Sequence, residues 1–203
     1  MPKAIAKQRS KTDGRVLRSE RSRETIASAL YELVGEGNLQ PTAQQVAERA
    51  KVGIRTVFRH FSDMEALYAT LDAQLLAEVM PMLRGGPPSD AGLRERATAL
   101  VSDRAAPFER IAPYKRSSNL KRWRSPYLTE QHHKLVRELR ARLLRWLPEL
   151  RDAPDEMVEA LDQATSFEAW DRLRSDQRLG RPRARAAMER NVQALLNELE
   201  EER

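Results

Sequence analysis

The side chains best suited to recognising a ligand lie between Ile54 and His60. Ile54, Arg55, Thr56, Phe58, Arg59 and His60 gather two guanidiniums, a hydroxyl, an imidazole and two apolar groups into one short stretch. An arginine can hold guanine N7 and O6 with two hydrogen bonds, worth about 1–3 kcal/mol of base discrimination. An isoleucine can meet a thymine methyl, and Thr, Phe and His can border phosphates. Catalytic and metal chemistry finds little footing. Glu130-Gln131-His132-His133 contains one Glu-x-x-His, whereas a di-iron bundle needs that motif twice with two further Glu. Adjacent histidines also diverge on a helix. The absence of Cys removes thiol catalysis, disulfides and Cys-ligated zinc. No nucleophile elbow, Gly-rich phosphate loop or zincin motif occurs. No enzymatic activity, cofactor or metal site is expected.

The elements around this stretch explain how it is presented. Thr42-Ala43-Gln44-Gln45 reads as a capping box that opens a short helix over 42–49. Lys51-Val52-Gly53 turns the chain, and a second short helix spans Ile54 to His60. A preceding helix over Arg21 to Gly35, with Ile26, Ala29, Leu30, Leu33 and Val34 inward, can cover both. This is a helix-turn-helix pattern, whose second helix lies in the major groove. Val52 and Val57 plug the space under the turn, Ala47 permits a close crossing, and Phe61 anchors the end. Ser62-Asp63-Met64-Glu65 reads as a second capping box, opening a long helix toward Pro81.

The rest of the chain reads at the helical period. Gly and Pro number 8 and 11 in 203 residues, and no alternating strand pattern is found, so the fold class is all-α. Helices are expected near 91–106, 107–112, 126–147, 154–177 and 182–200, beyond an Arg84-Gly-Gly-Pro-Pro-Ser89 linker. The formal charge is +6. Residues through Arg23 carry eight Lys/Arg against Asp13 and Glu20, an excess as large as that of the whole chain. Residues 1–18 are therefore expected to be a basic, flexible arm, of the kind that can meet nucleic acid. No apolar run approaches the roughly 20 residues needed to cross a bilayer, so no membrane association and a cytoplasmic location are expected.

Residues 21–70 resemble the tetracycline-repressor (TetR) family of bacterial transcriptional regulators. The resemblance rests on Ile26-Ala27-Ser28-Ala29-Leu30 with Gly37, on Thr42 with Val46-Ala47 and Ala50, and on Thr56-Val57-Phe58-Arg59-His60-Phe61 followed by Glu65-Ala66-Leu67. It implies a homodimer that binds palindromic double-stranded DNA and is released, as a repressor, by a small-molecule effector. The implied DNA-binding set is Thr42, Gln44, Gly53, Ile54, Arg55, Thr56, Phe58, Arg59 and His60. The implied organisation is an arm (1–18), a helix-turn-helix domain (19–70) and an effector-binding and dimerisation domain (71–203). Three positions depart from the family pattern: Lys51 stands where Gly is frequent, Gly53 where Ser caps the recognition helix, and Met64 where a phosphate-binding Lys is common.

Such a regulator needs a lined pocket, for which Phe108, Tyr114, Trp123, Tyr127 and Phe167 are candidates. It also needs a dimer interface. Val158, Leu161, Thr165 and Leu173 form one helical stripe, and Ala184, Met188, Val192, Leu195 and Leu199 form another. Either stripe can face its own core or a symmetry mate. Residues 104–145 hold twelve Lys/Arg against three Glu, which reads as a basic face or an anionic-ligand pocket. Two other readings remain: a helical enzyme or metal carrier with an accessory N-terminal domain, and a non-inducible architectural DNA binder.

Overall fold

The computed structural model describes residues 3–83 and 85–201, with side chains from Val16 onward except at 84 and 200. The described residues form nine α-helices and no strand. In chain order these are α1 (Lys3–Gly35), α2 (Ala43–Arg49), α3 (Ile54–His60), α4 (Met64–Met82), α5 (Leu93–Arg122), α6 (Pro126–Trp146), α7 (Asp155–Ala164), α8 (Phe167–Asp171) and α9 (Arg181–Glu201). A 3-10 turn follows α6 and a π turn follows α8.

Two compact units emerge. The first comprises residues 1–76 and 113–125; the second comprises 77–112 and 126–203. The division is thus discontinuous, unlike the linear cut expected after residue 70. Pro113, one of two prolines inside α5, marks the point where that helix changes unit.

In the first unit, α1, α2 and α3 pack on one another over buried Ile26, Leu30, Val46, Ala47, Val57 and Phe61. α1 begins at Lys3, not Arg21, so the described backbone of the expected arm is helical. Its side chains through Arg15 lie outside the described residues. Two helix ends are closed by the same device. Gly37 takes φ +99°, its N–H bonds to the Val34 carbonyl (3.0 Å), and the Asn38 N–H bonds to that of Leu33 (3.0 Å). Lys51 takes φ +54°, with Lys51 N–H to Glu48 O (3.1 Å) and Val52 N–H to Ala47 O (3.0 Å). These are paired 6→1 and 5→2 caps, which want a left-handed residue.

In the second unit, α7 and α8 pack against α9, and α6 against α7. Arg104 on α5 is fully buried. It donates to the Thr165 carbonyl (2.6 Å) and hydroxyl (2.8 Å) and to the Leu139 carbonyl (2.6 Å). Burial pushes its pKa down to about 10, with Asp162 and Asp103 opposing and Arg142 reinforcing the shift. The helix expected over 154–177 is broken at Thr165-Ser166. The Thr165 hydroxyl turns back to the Leu161 carbonyl (2.9 Å), and the Ser166 hydroxyl caps α8 through the Ala169 N–H (3.1 Å). Hydroxyls offer the backbone a local alternative to the helix ladder. Around the π turn, Glu109 of α5 gathers Trp170 Nε1 (3.0 Å), Arg174 Nε (2.6 Å) and Arg181 Nε (2.9 Å).

Most of the proposed dimer residues are already used here. Val158, Leu161, Ala184, Met188, Val192 and Leu199 lie in the buried core of their own subunit, with Leu173 and Leu195 packed at its margin. Thr165 is fully buried as well. The two stripes face mainly inward, and only Leu173 and Leu195 keep part of their surface outward. The inward position near the end of α9 is Leu196, not Leu195.

Candidate nucleic-acid interface

The capping box of α2 is formed as the sequence implies. The Thr42 hydroxyl accepts from Gln45 N–H (3.2 Å), and Gln45 Oε1 accepts from Thr42 N–H (2.9 Å). α3 starts from Gly53, whose backbone is extended and which gives no side-chain cap. The cap of α4 differs from expectation by one residue: Asp63, not Ser62, accepts from the Ala66 N–H (2.8 Å). A carboxylate is the stronger acceptor at the positive end of a helix.

α3 buries one edge and exposes the other. Val57 points into the core, while Ile54 is 39% and Phe58 48% exposed. Arg55 and Arg59 are exposed and make no ion pair with any described residue. Arg49 on α2 is different: it is locked to Glu36 (2.6 Å) and Glu32 (3.3 Å) of α1. That bond lowers the Glu36 pKa and raises that of Arg49. The two arginines of α3 are thus basic groups left without an internal acid.

The other expected contacts are placed as follows. Thr42, Gln44 and Gly53 are exposed and Thr56 is half-buried. The Gln44 amide donates to Glu48 within α2 (2.7 Å). The His60 ring is partly buried, and its Nε2 has no partner. Burial first, then the charges of Arg59 and Arg23, lowers its pKa, so the ring is neutral near pH 7 and adds no cation.

Arg23, counted in the sequence only as part of the N-terminal basic excess, has a structural role. It donates to the His60 carbonyl (2.9 Å) and the Thr70 hydroxyl (3.2 Å) and lies 4.4 Å from the Phe61 ring centroid. It pins α1 to the junction of α3 and α4. Only the distance between positions 23 and 60 hides this role; nothing local signals it.

The aromatic candidates do not form one pocket. Phe108 and Phe167 meet edge to face at 5.7 Å inside the core of the second unit. Tyr114 belongs to the first unit, stacked on Tyr31 at 4.7 Å. A Cβ at Gly35 would come within 3.1 Å of the Tyr114 hydroxyl, so glycine there permits the docking. Trp123 is 80% exposed and Tyr127 half-buried. An open cleft of about 550 Å³ does exist in the second unit, between α5 and α9, bordered by Arg94, Thr98, Ser102, Arg185 and Gln193. None of the five aromatics lines it. Among the described residues no cluster of His, Asp or Glu is arranged to hold a metal, and no helix is long and apolar enough to cross a membrane.

Residues 26–71, covering α1's inner half through α4's first turns, match the family model of bacterial regulatory proteins, tetR family. This region of the chain is thus similar to the DNA-reading part of the TetR family. Three solved structures share its fold. A transcriptional regulator from Rhodococcus sp. Rha1 aligns with TM-score 0.64 and 20% identity over 86% of this chain and 96% of its own. A putative TetR-family regulator from Mesorhizobium loti MAFF303099 gives 0.59 and 18%, over 89% and 97%. A TetR transcriptional regulator from Rhodococcus sp. RHA1 gives 0.54 and 20%, over 87% and 96%. No curated protein matches the sequence. The matched region contains α2 and α3, the pair that the sequence reads as a helix-turn-helix.

Proposed function

We propose that the protein is a cytoplasmic homodimeric repressor that reads a palindromic operator and releases it on binding a small molecule. The outward face of α3 carries the reading: Ile54, Arg55, Phe58 and Arg59 are exposed, and the two arginines lack acidic partners. Arg55 reads a base edge. Thr42, Gln44, Gly53, Thr56 and Arg59 border the backbone. His60, whose ring is partly buried, holds the shape of the helix end. Two copies of α3 in successive major grooves would sit about 34 Å apart.

Dimerisation must use the outer faces of the C-terminal helices, because the inner stripes are already covered. The effector enters the second unit, where the open cleft between α5 and α9 is the candidate entry. Such a ligand acts by its differential affinity for the two conformers of the dimer.

Selection of bound duplexes from random DNA tests the core of this reading. A symmetric consensus is expected. Arg55→Ala should weaken binding to the selected duplex by about 1–3 kcal/mol and relax preference at one position per half-site. Unchanged affinity overturns the assigned contact, and enrichment of no sequence overturns the operator-binding reading.

A further inference from the structure

The charge of this protein is unevenly divided. Residues 1–76 hold twelve Lys/Arg against nine Asp/Glu, and 113–125 adds five Lys/Arg with no acid, so the first unit carries +8. The second unit, with nineteen Lys/Arg against twenty-one Asp/Glu, carries −2. Most of the excess in the reader unit thus comes from a segment distant in sequence that the fold returns to it.

That segment is held firmly. Ser117 is fully buried and donates to the Leu39 carbonyl (2.6 Å). Its one proton is then committed, so Tyr68 donates to Ser117 Oγ (3.1 Å). Lys121 lies 4.9 Å from the Tyr68 ring centroid. At the far end, Ser125 Oγ donates to Glu65 Oε1 (2.5 Å), in the first turn of α4. This fixes 121–125 beside the junction that follows the recognition helix.

That junction needs cations. Ser62-Asp63-Met64-Glu65 contains two acids and no base, so cations beside it would favour the approach of a phosphate. Beside it stand Arg124, which is exposed, and Trp123, 80% exposed with the Arg122 guanidinium 4.4 Å from its ring centroid. Apart from that one cation–π contact, the large ring lies in water and buries little against its own chain. It suits a sugar–phosphate backbone, to which arginine supplies charge and an aromatic face supplies contact.

We propose that Arg122, Trp123 and Arg124 form an accessory DNA-backbone contact, gripping phosphates next to the bases that α3 reads. The proposal rests on the DNA-binding reading above. Trp146 and Trp170 are buried, so acrylamide quenching of tryptophan fluorescence reports mainly on Trp123. Saturating the protein with a duplex enriched from random DNA should shield Trp123 from acrylamide. The Arg122→Gln/Arg124→Gln variant should flatten the slope of log K against log salt by about 1.8, at roughly 0.9 for each phosphate no longer neutralised. Arg183→Gln, an exposed site in the second unit, should leave the slope unchanged.

Trp123 still open to acrylamide in the saturated complex, or a slope equal to wild type in the double variant, overturns the proposal while leaving α3 as reader. Shielding by anionic vesicles or single-stranded RNA, without shielding by duplex, also overturns it. Failure of the wild type to bind any duplex overturns the underlying reading, which is a separate result.

Discussion

Arg23→Ala distinguishes a structural arginine from a DNA-binding one. The substitution removes two hydrogen bonds, to the His60 carbonyl and the Thr70 hydroxyl, and the stack on Phe61. Net hydrogen bonds contribute about 0.5–1.5 kcal/mol each, and an exposed cation–π contact about 0.5–1 kcal/mol. The side chain is solvent-accessible, so the lower halves of these ranges apply and the destabilisation is about 2 kcal/mol. For a chain of this size that lowers Tm by roughly 6 °C. Circular dichroism melts measure the shift, and titrations of DNA binding against salt measure the alternative. A structural Arg23 lowers Tm on substitution and leaves the salt slope intact, because the number of phosphates neutralised does not change. An Arg23 that meets phosphate does the reverse, with an unchanged Tm and a slope shallower by about 0.9. The second pattern refutes the assignment of Arg23 as a pin.

Three further outcomes follow from single positions. Lys51→Gly should raise stability by about 0.5–1 kcal/mol in denaturant melts, because Lys51 holds φ +54° where glycine is unstrained. Asp72 is a half-buried carboxyl whose pKa desolvation raises to about 6, against the pull of Lys115 and a hydrogen bond with Ser118. Its folded pKa exceeds the unfolded one, so it favours folding at low pH, and this contribution fades as pH rises from about 4 through 6. Asp72→Asn should therefore stabilise the protein by about 2 kcal/mol at pH 7 and by almost nothing at pH 4, as read from melts at the two pH values. Arg104→Ala should cost about 3 kcal/mol, because the Thr165 and Leu139 carbonyls are left without their buried donor, and guanidinium melts would show it.

What is legible in the sequence is whatever is encoded locally. The capping box of α2 is four consecutive residues whose bonds stay within those four. Lys51 stands out from its type alone, in a turn where glycine is the easier residue, and it has a left-handed φ. Val57 inward with Ile54 and Phe58 outward follows from the helix-turn-helix pattern and not from the period, since 54, 57, 58 and 61 share one helical spacing. Pairings over long sequence distances are not legible. Arg23 looks like its neighbours Arg18 and Arg21 until α3 is folded against α1. Pro107 and Pro113 suggest helix breaks, yet α5 runs through both. An apolar stripe on α7 or α9 reads the same whether a second chain or its own core covers it.

The sharpest case is the basic run over 104–145, which reads as one surface. The fold separates its members by environment. Arg104 is sealed in a core with neutral oxygens as partners, and Arg142 is buried with Asp103 at 2.6 Å. Arg137 and Arg140 are tied to Glu130 and Glu159. Only the members between 113 and 125 join the reader unit. Charge counted along a sequence measures potential available to a partner only where the fold leaves the groups in water and unpaired. By that criterion the exposed Arg55, Arg59 and Arg124 contribute most directly to the electrostatic footprint on DNA, and neutralising Arg104 or Arg142 should change stability without changing the salt slope.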